Sequence, residues 1–317
     1  MIKGVTLTPE EEQNLDGKNL AIALLLGLFT AVVFGLGGFL LIYDNTGSMG
    51  GVLFLALPSA TGFATALVAR RRNIVLASLI LGALLCTAIL LATGKEGWVC
   101  VLMSAPLIAA GMAFGALLGW LFRTLVIDKA SKSGTLTLLV LLVLPVFLIG
   151  ANSAEREARR TLRAQTVTDT MLVSQSPEAV WNQLKNMESV TASKGLLMRI
   201  GLPVPVSCKT EGEGVGGKRT CYFEHGYIEE KITEWNFPHS MKFQITASDV
   251  PGRPWLTFSD ATYEITRQGD HTIVTRRTTI VSRLSPAWYW SRLEAVGVHT
   301  EHRYLFEAVE NKLKAAR

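Results

Sequence analysis

Five apolar runs, residues 19–43, 51–69, 73–93, 97–122 and 134–151, fill most of the first half of the chain and constrain its fold more than any other feature. Each is close to the ~20 residues that a helix rising ~1.5 Å per residue needs to cross ~30 Å of hydrocarbon. None contains Asp, Glu, Lys or Arg, so none has the polar face that a helix on the surface of a soluble core requires. The runs predict a five-helix membrane domain, residues 19–151, behind a polar leader, residues 1–18. The first run follows polar residues and precedes four others, so it reads as a retained span rather than a cleaved signal.

Small residues recur at four-residue steps inside these runs: Gly27, Ala31 and Gly35; Ser78 and Gly82; Gly111, Gly115 and Gly119. Such stripes let helix backbones approach closely, which matters in lipid because apolar burial no longer drives helices together. Tyr43, Trp98 and Trp120 stand at run ends, as interfacial aromatics do. With no ionisable residue mid-run, transport of ions or polar solutes is disfavoured.

The net charge of +5 would invite a nucleic-acid partner in a soluble protein, but its distribution argues otherwise. Arg70, Arg71 and Arg72 lie between runs two and three, and Arg123, Lys129 and Lys132 between runs four and five. The other two loops carry only Asp44 and the Lys95/Glu96 pair. Basic loops stay cytoplasmic, so after five crossings everything beyond Ala151 is expected on the extracytoplasmic side of the cell membrane. Arg156, Arg159, Arg160 and Arg163 pull the other way, but long domains translocate largely regardless of charge.

Beyond a charged linker, 152–165, the pattern changes to period two. Candidate strands occupy 166–174, 204–210, 219–223, 227–235, 241–247, 256–267 and 271–282. A helix opens at Ser176-Pro177-Glu178, with an N-cap, a first-turn proline and an early carboxylate, and a second short helix is expected near 193–200. From Ser285, read as an N-cap before Pro286, one helix runs to the C-terminus. Its apolar stripe is read as Leu293, Val296, Leu305, Phe306, Val309 and Leu313, with Arg292, Glu294, Glu301, Arg303, Glu310 and Lys312 on the surface. Cys208 and Cys221 flank a glycine-rich turn; centred between Gly214 and Val215, it sets them opposite one another, as a possible disulfide or as two unrelated thiols.

The phrase Ser176-Pro177-Glu178-Ala179-Val180-Trp181, the run Gly217-Lys218-Arg219 leading through Gly226 to Glu229-Glu230-Lys231-Ile232-Thr233-Glu234-Trp235, and the long last helix resemble the helix-grip superfamily. That group includes START lipid-transfer domains, birch-pollen-allergen-like proteins and the polyketide cyclase/dehydrase (SRPBCC) group. The resemblance covers residues 166–317 and implies an α+β domain: a seven-stranded antiparallel sheet curled round the last helix, with an apolar cavity between them. In that superfamily the cavity usually holds hydrophobic molecules, and only some members are enzymes.

No nucleophile elbow, phosphate loop or dinucleotide fingerprint is present, and no cofactor is implied. His299 and His302 share a helix face, yet the sequence locates no third metal ligand. Glu229, Glu230 and Glu234 beside Lys231 read as a solvated strand face. What remains is a dense set of aromatics. Tyr222, Trp255, Tyr263, Arg277, Trp288, Val296 and His299 are the candidate ligand-binding residues, with Arg277 or His299 orienting the ligand. The expected function is a membrane-tethered domain that binds a hydrophobic or lipid-like small molecule, with membrane lipids as partners and no nucleic acid. The alternatives are a cyclase-like enzyme acting on an apolar substrate, which needs a titratable cluster in the interior, and a structural or sensory module that contacts an unidentified protein.

Overall fold

The structure is a computed structural model that describes residues 9–46, 50–69, 71–93, 97–130, 133–158, 162–250 and 256–315. Arg70, Lys95, Glu96, Lys132, Arg159, Arg160 and Trp255, which the sequence singled out, lie outside these residues. The chain folds as two compact units, Met1–Glu96 with Cys100–Arg160, and Thr161–Arg317 with the short stretch Gly97–Val99.

The first unit is helical. α1 (Pro9–Val32) continues through a π-turn (Val33–Gly37) into α2 (Gly38–Thr46). A second π-turn (Val52–Ala56) leads into α3 (Leu57–Val68), followed by α4 (Arg72–Ala92), α5 (Trp98–Phe122), a third π-turn (Arg123–Ile127) and α6 (Ser133–Ala158). Four stretches are long and apolar enough to cross a membrane: Lys18–Ile42, Arg72–Ala92, Trp98–Ile127 and Ser133–Glu157. This corrects the expectation of five alike, because run 51–69 forms a shorter helix, Val52–Val68. That helix is the centre of the unit. Leu57, Pro58, Ala60, Thr61, Ala64, Thr65 and Leu67 are buried, so its surroundings are largely protein.

The small-residue stripes set the contacts. A Cβ at Gly115 would overlap the Ser59 carbonyl, one at Gly62 the Met112 carbonyl and one at Gly119 the Phe63 carbonyl, so α3 and α5 meet backbone to backbone and run parallel. Gly27 faces Ser78 and Gly82 faces Ala31, which makes α1 and α4 parallel; Gly38 faces Leu57 and Gly27 faces Ala69, which sets α3 antiparallel to both. Both ends of the short helix are clipped by charged side chains. Glu155 accepts from the amides of Gly51 (2.7 Å) and Val52 (2.9 Å), and Arg123 Nη1 donates to the Leu67 carbonyl (2.6 Å). These groups meet the orphan donors and an orphan acceptor of the helix termini. Large apolar residues point outward instead: Phe29, Leu84, Leu117, Leu142 and Val146 are each more than half exposed.

The second unit is α+β. Seven antiparallel strands, β1 (Arg163–Val173), β2 (Pro205–Glu211), β3 (Lys218–Phe223), β4 (Tyr227–Asn236), β5 (Ser240–Ser248), β6 (Leu256–Gln268) and β7 (His271–Ser282), form one sheet in the order β1-β7-β6-β5-β4-β3-β2. Between β1 and β2 come α7 (Pro177–Lys185) and the single turn α8 (Leu196–Arg199); α9 (Ala287–Ala315) ends the unit. Ser176 caps α7, its Oγ accepting from Ala179 N at 3.3 Å, and Pro177 takes the first helical position. α9 starts later than expected. The Pro286 carbonyl accepts from Tyr289 and Trp290, so Pro286 fills the role that the sequence suggested for Ser285.

α9 packs on the inner face of the sheet. Tyr304, Leu305, Phe306, Ala308, Val309 and Leu313 join Trp181, Leu184, Ile232, Met241, Phe243, Ile265 and Val274 in one core, and Trp181 meets Trp235 edge to face at 5.0 Å. Four positions on α9 correct the expected stripe. Val296 is exposed while Val298 is buried, and Glu294 and Glu301 turn inward. Both carboxylates face inward because arginines wait there: Glu294 pairs with Arg163 (2.7 Å) and Glu301 with Arg276 (3.0 Å).

Candidate functional site

Strand pairing lines up charged side chains across the inner face of the sheet. On β7, inward positions alternate Thr272, Val274, Arg276, Thr278, Ile280 and Ser282, all buried. Arg276 stands opposite Asp169 on β1 and opposite Tyr263 on β6; Arg219 on β3 stands opposite Glu230 on β4. α9 adds Glu301 and His302 from above. The result is a polar layer across the interior.

Its contacts are close. Arg219 Nη1 donates to Glu230 Oε2 at 3.1 Å and Nη2 to the Leu184 carbonyl at 3.2 Å, with the guanidinium 4.5 Å from the centre of the Phe243 ring. Arg276 Nη2 donates to Glu301 Oε1 at 3.0 Å, and its guanidinium lies 5.2 Å from the centre of the Tyr263 ring. Phe243 and Tyr263 meet edge to face at 6.4 Å, so the two arginines flank a pair of touching rings. His302, with no exposed surface, donates from Nδ1 to Asp169 Oδ2 at 2.6 Å, which leaves Nε2 to accept from the Thr278 hydroxyl at 2.7 Å. His299, half exposed, donates from Nδ1 to the same carboxylate at 2.7 Å.

Burial dominates the electrostatics. It lowers the His302 pKa to about 3, helped by the Arg276 charge and opposed by Asp169, so the ring is neutral in neutral solution. Burial raises the Tyr263 phenol and, despite Arg276, the Glu301 carboxyl. For Arg276, burial works against the charge, and the carboxylates of Glu301 and Glu230 outweigh it, so the guanidinium is held above its ordinary value.

The layer separates two apolar regions. On one side is the dense core around Trp181 and Ile265. On the other is a looser cluster, Val167, Ile280 and Val298, against which Leu256, Phe258 and Ala295 are only partly buried. Beyond that cluster Glu294 closes a second polar group, with Arg163 (2.7 Å) and Ser282 Oγ (2.6 Å). Around the layer the grip is closed, since Tyr263, Phe243, Arg219 and His302 are buried too completely for a water to touch them.

The residues named from the sequence are dispersed. Tyr263 lies in the layer and His299 reaches it through Asp169. Tyr222 is half exposed, and Arg277 is on the outer face, paired with Glu264. Trp288 and Val296 are exposed on α9, and Trp255 is outside the described residues. Cys208 and Cys221 are opposite one another in β2 and β3 and are joined by a disulfide. The reading of Glu230 as a solvated residue is corrected by its pairing with Arg219 in the interior. Asp169, Arg219, Glu230, Arg276, Thr278 and Glu301 were missed and His302 was noted only for sharing a helix face with His299, although strand alternation placed Arg276 in step with Val274 and Ile280, and Glu230 in step with Ile228 and Ile232.

No family model matches the chain and no curated protein matches it. Solved structures similar to about half of the chain include norcoclaurine synthase from Thalictrum flavum, 15% identical over 49% of this chain and 90% of that one, with a TM-score of 0.35. A START superfamily protein from Mycobacterium smegmatis is 12% identical over 48% and 99%, with a TM-score of 0.35. Ara h 8.0201 is 12% identical over 48% and 99%, also with a TM-score of 0.35.

Proposed function

We propose that this chain is a membrane-anchored helix-grip protein that binds a hydrophobic small molecule between the curled sheet and α9. The carrying observation is the partly buried cluster of Leu256, Phe258 and Ala295 over Val167, Ile280 and Val298, floored by a charged layer. An apolar body gains about 25 cal/mol per Å² of surface it buries there, and the floor supplies the few polar groups that orient a ligand. The contact set we propose is Phe258 and Ala295 at the partly buried end, with Tyr263 and Arg276 reached once the closed layer opens and His299 at the rim. Tethering to a bilayer raises the local concentration of molecules that dissolve in it.

Anchoring is supported by the inverted packing of the first unit, with small residues inside and large apolar ones outside, which suits lipid as solvent. The helix directions support a five-crossing topology in which Val52–Val68 also traverses the bundle, clipped at its ends by Glu155 and Arg123. Five crossings leave the C-terminal domain opposite the N-terminus, on the extracytoplasmic side, where the Cys208–Cys221 disulfide is favoured.

Organic extraction of the purified full-length protein, followed by mass spectrometry, tests the reading when wild type is compared with Ala295→Trp. Bulk lipid from the membrane unit serves as the internal reference. A species present in wild type and depleted in the filled variant is the expected result; identical extracts would refute the proposal.

A further inference from the structure

The grip's unpaired polar groups are all donors. Among the described residues of this unit, the buried side-chain atoms without a hydrogen-bond partner are Arg276 Nε, Arg276 Nη1, Arg219 Nε and Arg163 Nε. No buried acceptor of the unit is left unpaired beside them. An unmet buried donor is destabilising, and more so on a charged group, so three such atoms in one layer need an explanation. Arg276 carries two of them on a side chain only 9% exposed, and its one carboxylate partner is Glu301, through Nη2 alone.

The missing complement is therefore an acceptor, and next to a guanidinium an anionic acceptor is favoured, because hydrogen bonds between ions are the strong ones. It has to be small and singly charged, since desolvating a second charge in this dry interior would outweigh what the extra contact returns. Resting on the reading that the domain takes a hydrophobic molecule, we infer that the ligand is an amphipathic carboxylic acid. Its apolar body lies over Phe258 and Val298, and its carboxylate accepts from the free N–H groups of Arg276. Burial already biases Glu301 toward its neutral form, so an incoming carboxylate competes for Arg276 against a weakened partner. Because the donors are sealed, seating the head requires the Glu301 side chain to turn aside.

The test uses the full-length protein in lipid nanodiscs and three radiolabelled probes of one chain length, palmitic acid, its methyl ester and hexadecanol, each corrected for uptake by empty nanodiscs. We expect the acid to bind about tenfold or more tighter than the alcohol, with the ester near the alcohol. In the charge-balanced double variant Arg276→Gln/Glu301→Gln, that preference should fall to about onefold. Its unfolding midpoint, measured in parallel, identifies a variant that has lost its fold, and Arg276→Lys, which keeps the charge, then provides the comparison and should retain part of the preference. Equal binding of acid and alcohol by the wild type overturns the carboxylate inference while leaving the hydrophobic-ligand reading intact. An ester that matches the acid also overturns it, and failure of all three probes to bind overturns both.

Discussion

At the residue scale, one step along a strand decides whether an arginine faces water or the interior. Arg277 pairs with Glu264 outside, and Arg276 sits under α9 with Glu301. His302 makes the same point on the helix, and its environment yields a signed prediction. Its folded pKa, about 3, lies below the ordinary 6.5, so its contribution to stability is complete above pH ~6.5 and is lost as pH falls toward 3. The groups facing it are Asp169, Thr278, His299, Arg276 and Glu301. Glu301 acts oppositely, because a raised carboxyl gains stability on acidification, over a window that begins at its ordinary value of 4.5 and extends upward to its raised folded value, so it offsets part of the His302 effect. Between pH 7 and 5 the wild type should therefore lose more stability than His302→Gln, by up to about 1.4 kcal/mol per pH unit, when the thermal midpoints of the two proteins are followed in parallel. Parallel curves for the two proteins would show that His302 is not the titrating group. None of this could be read from the sequence, which showed histidines three apart without showing that Asp169 waits between them.

At the element scale the chain was largely legible. Seven strands stand within a few residues of their expected places because period-two alternation and glycine turns are local signals, and Ser176-Pro177 opens α7 as expected. The misreadings came from partners distant in sequence. Glu294, Glu301 and Glu230 looked like surface residues because charge is usually solvated, and only Arg163, Arg276 and Arg219 on other elements keep them inside. Likewise Val52–Val68 resembled a full span by composition, while it is a shorter helix whose surroundings are largely protein. The Cys208–Cys221 link belongs to this scale. It closes a loop with a sequence separation of 13, so replacing both cysteines by serine should destabilise the grip by about 3 kcal/mol. Differential scanning calorimetry of the full-length protein should show that transition several degrees lower; an unchanged transition would mean that the hairpin's ladder alone holds the strands.

At the scale of the whole molecule, the two units bury opposite kinds of side chain. The bundle hides small residues and a few satisfied hydroxyls, such as Thr61 and Thr65 bonded back to Leu57 and Thr61, and presents its large apolar side chains outward. The grip hides aromatics and a charged layer and keeps lysines, glutamates and threonines on its outer face. That layer distinguishes the interior from a purely apolar core, and its unmet donors beside a loosely packed apolar end are what a ligand site requires. The most direct measurement is photo-crosslinking from a benzophenone amino acid placed at Phe258 in the full-length protein in intact cells, with the adduct identified by mass spectrometry. The account predicts a small hydrophobic molecule attached at that position and absent from a control bearing the same photoprobe at the outward-facing Tyr222. Crosslinks only to the chain's own residues, or the same adducts at both positions, would contradict it.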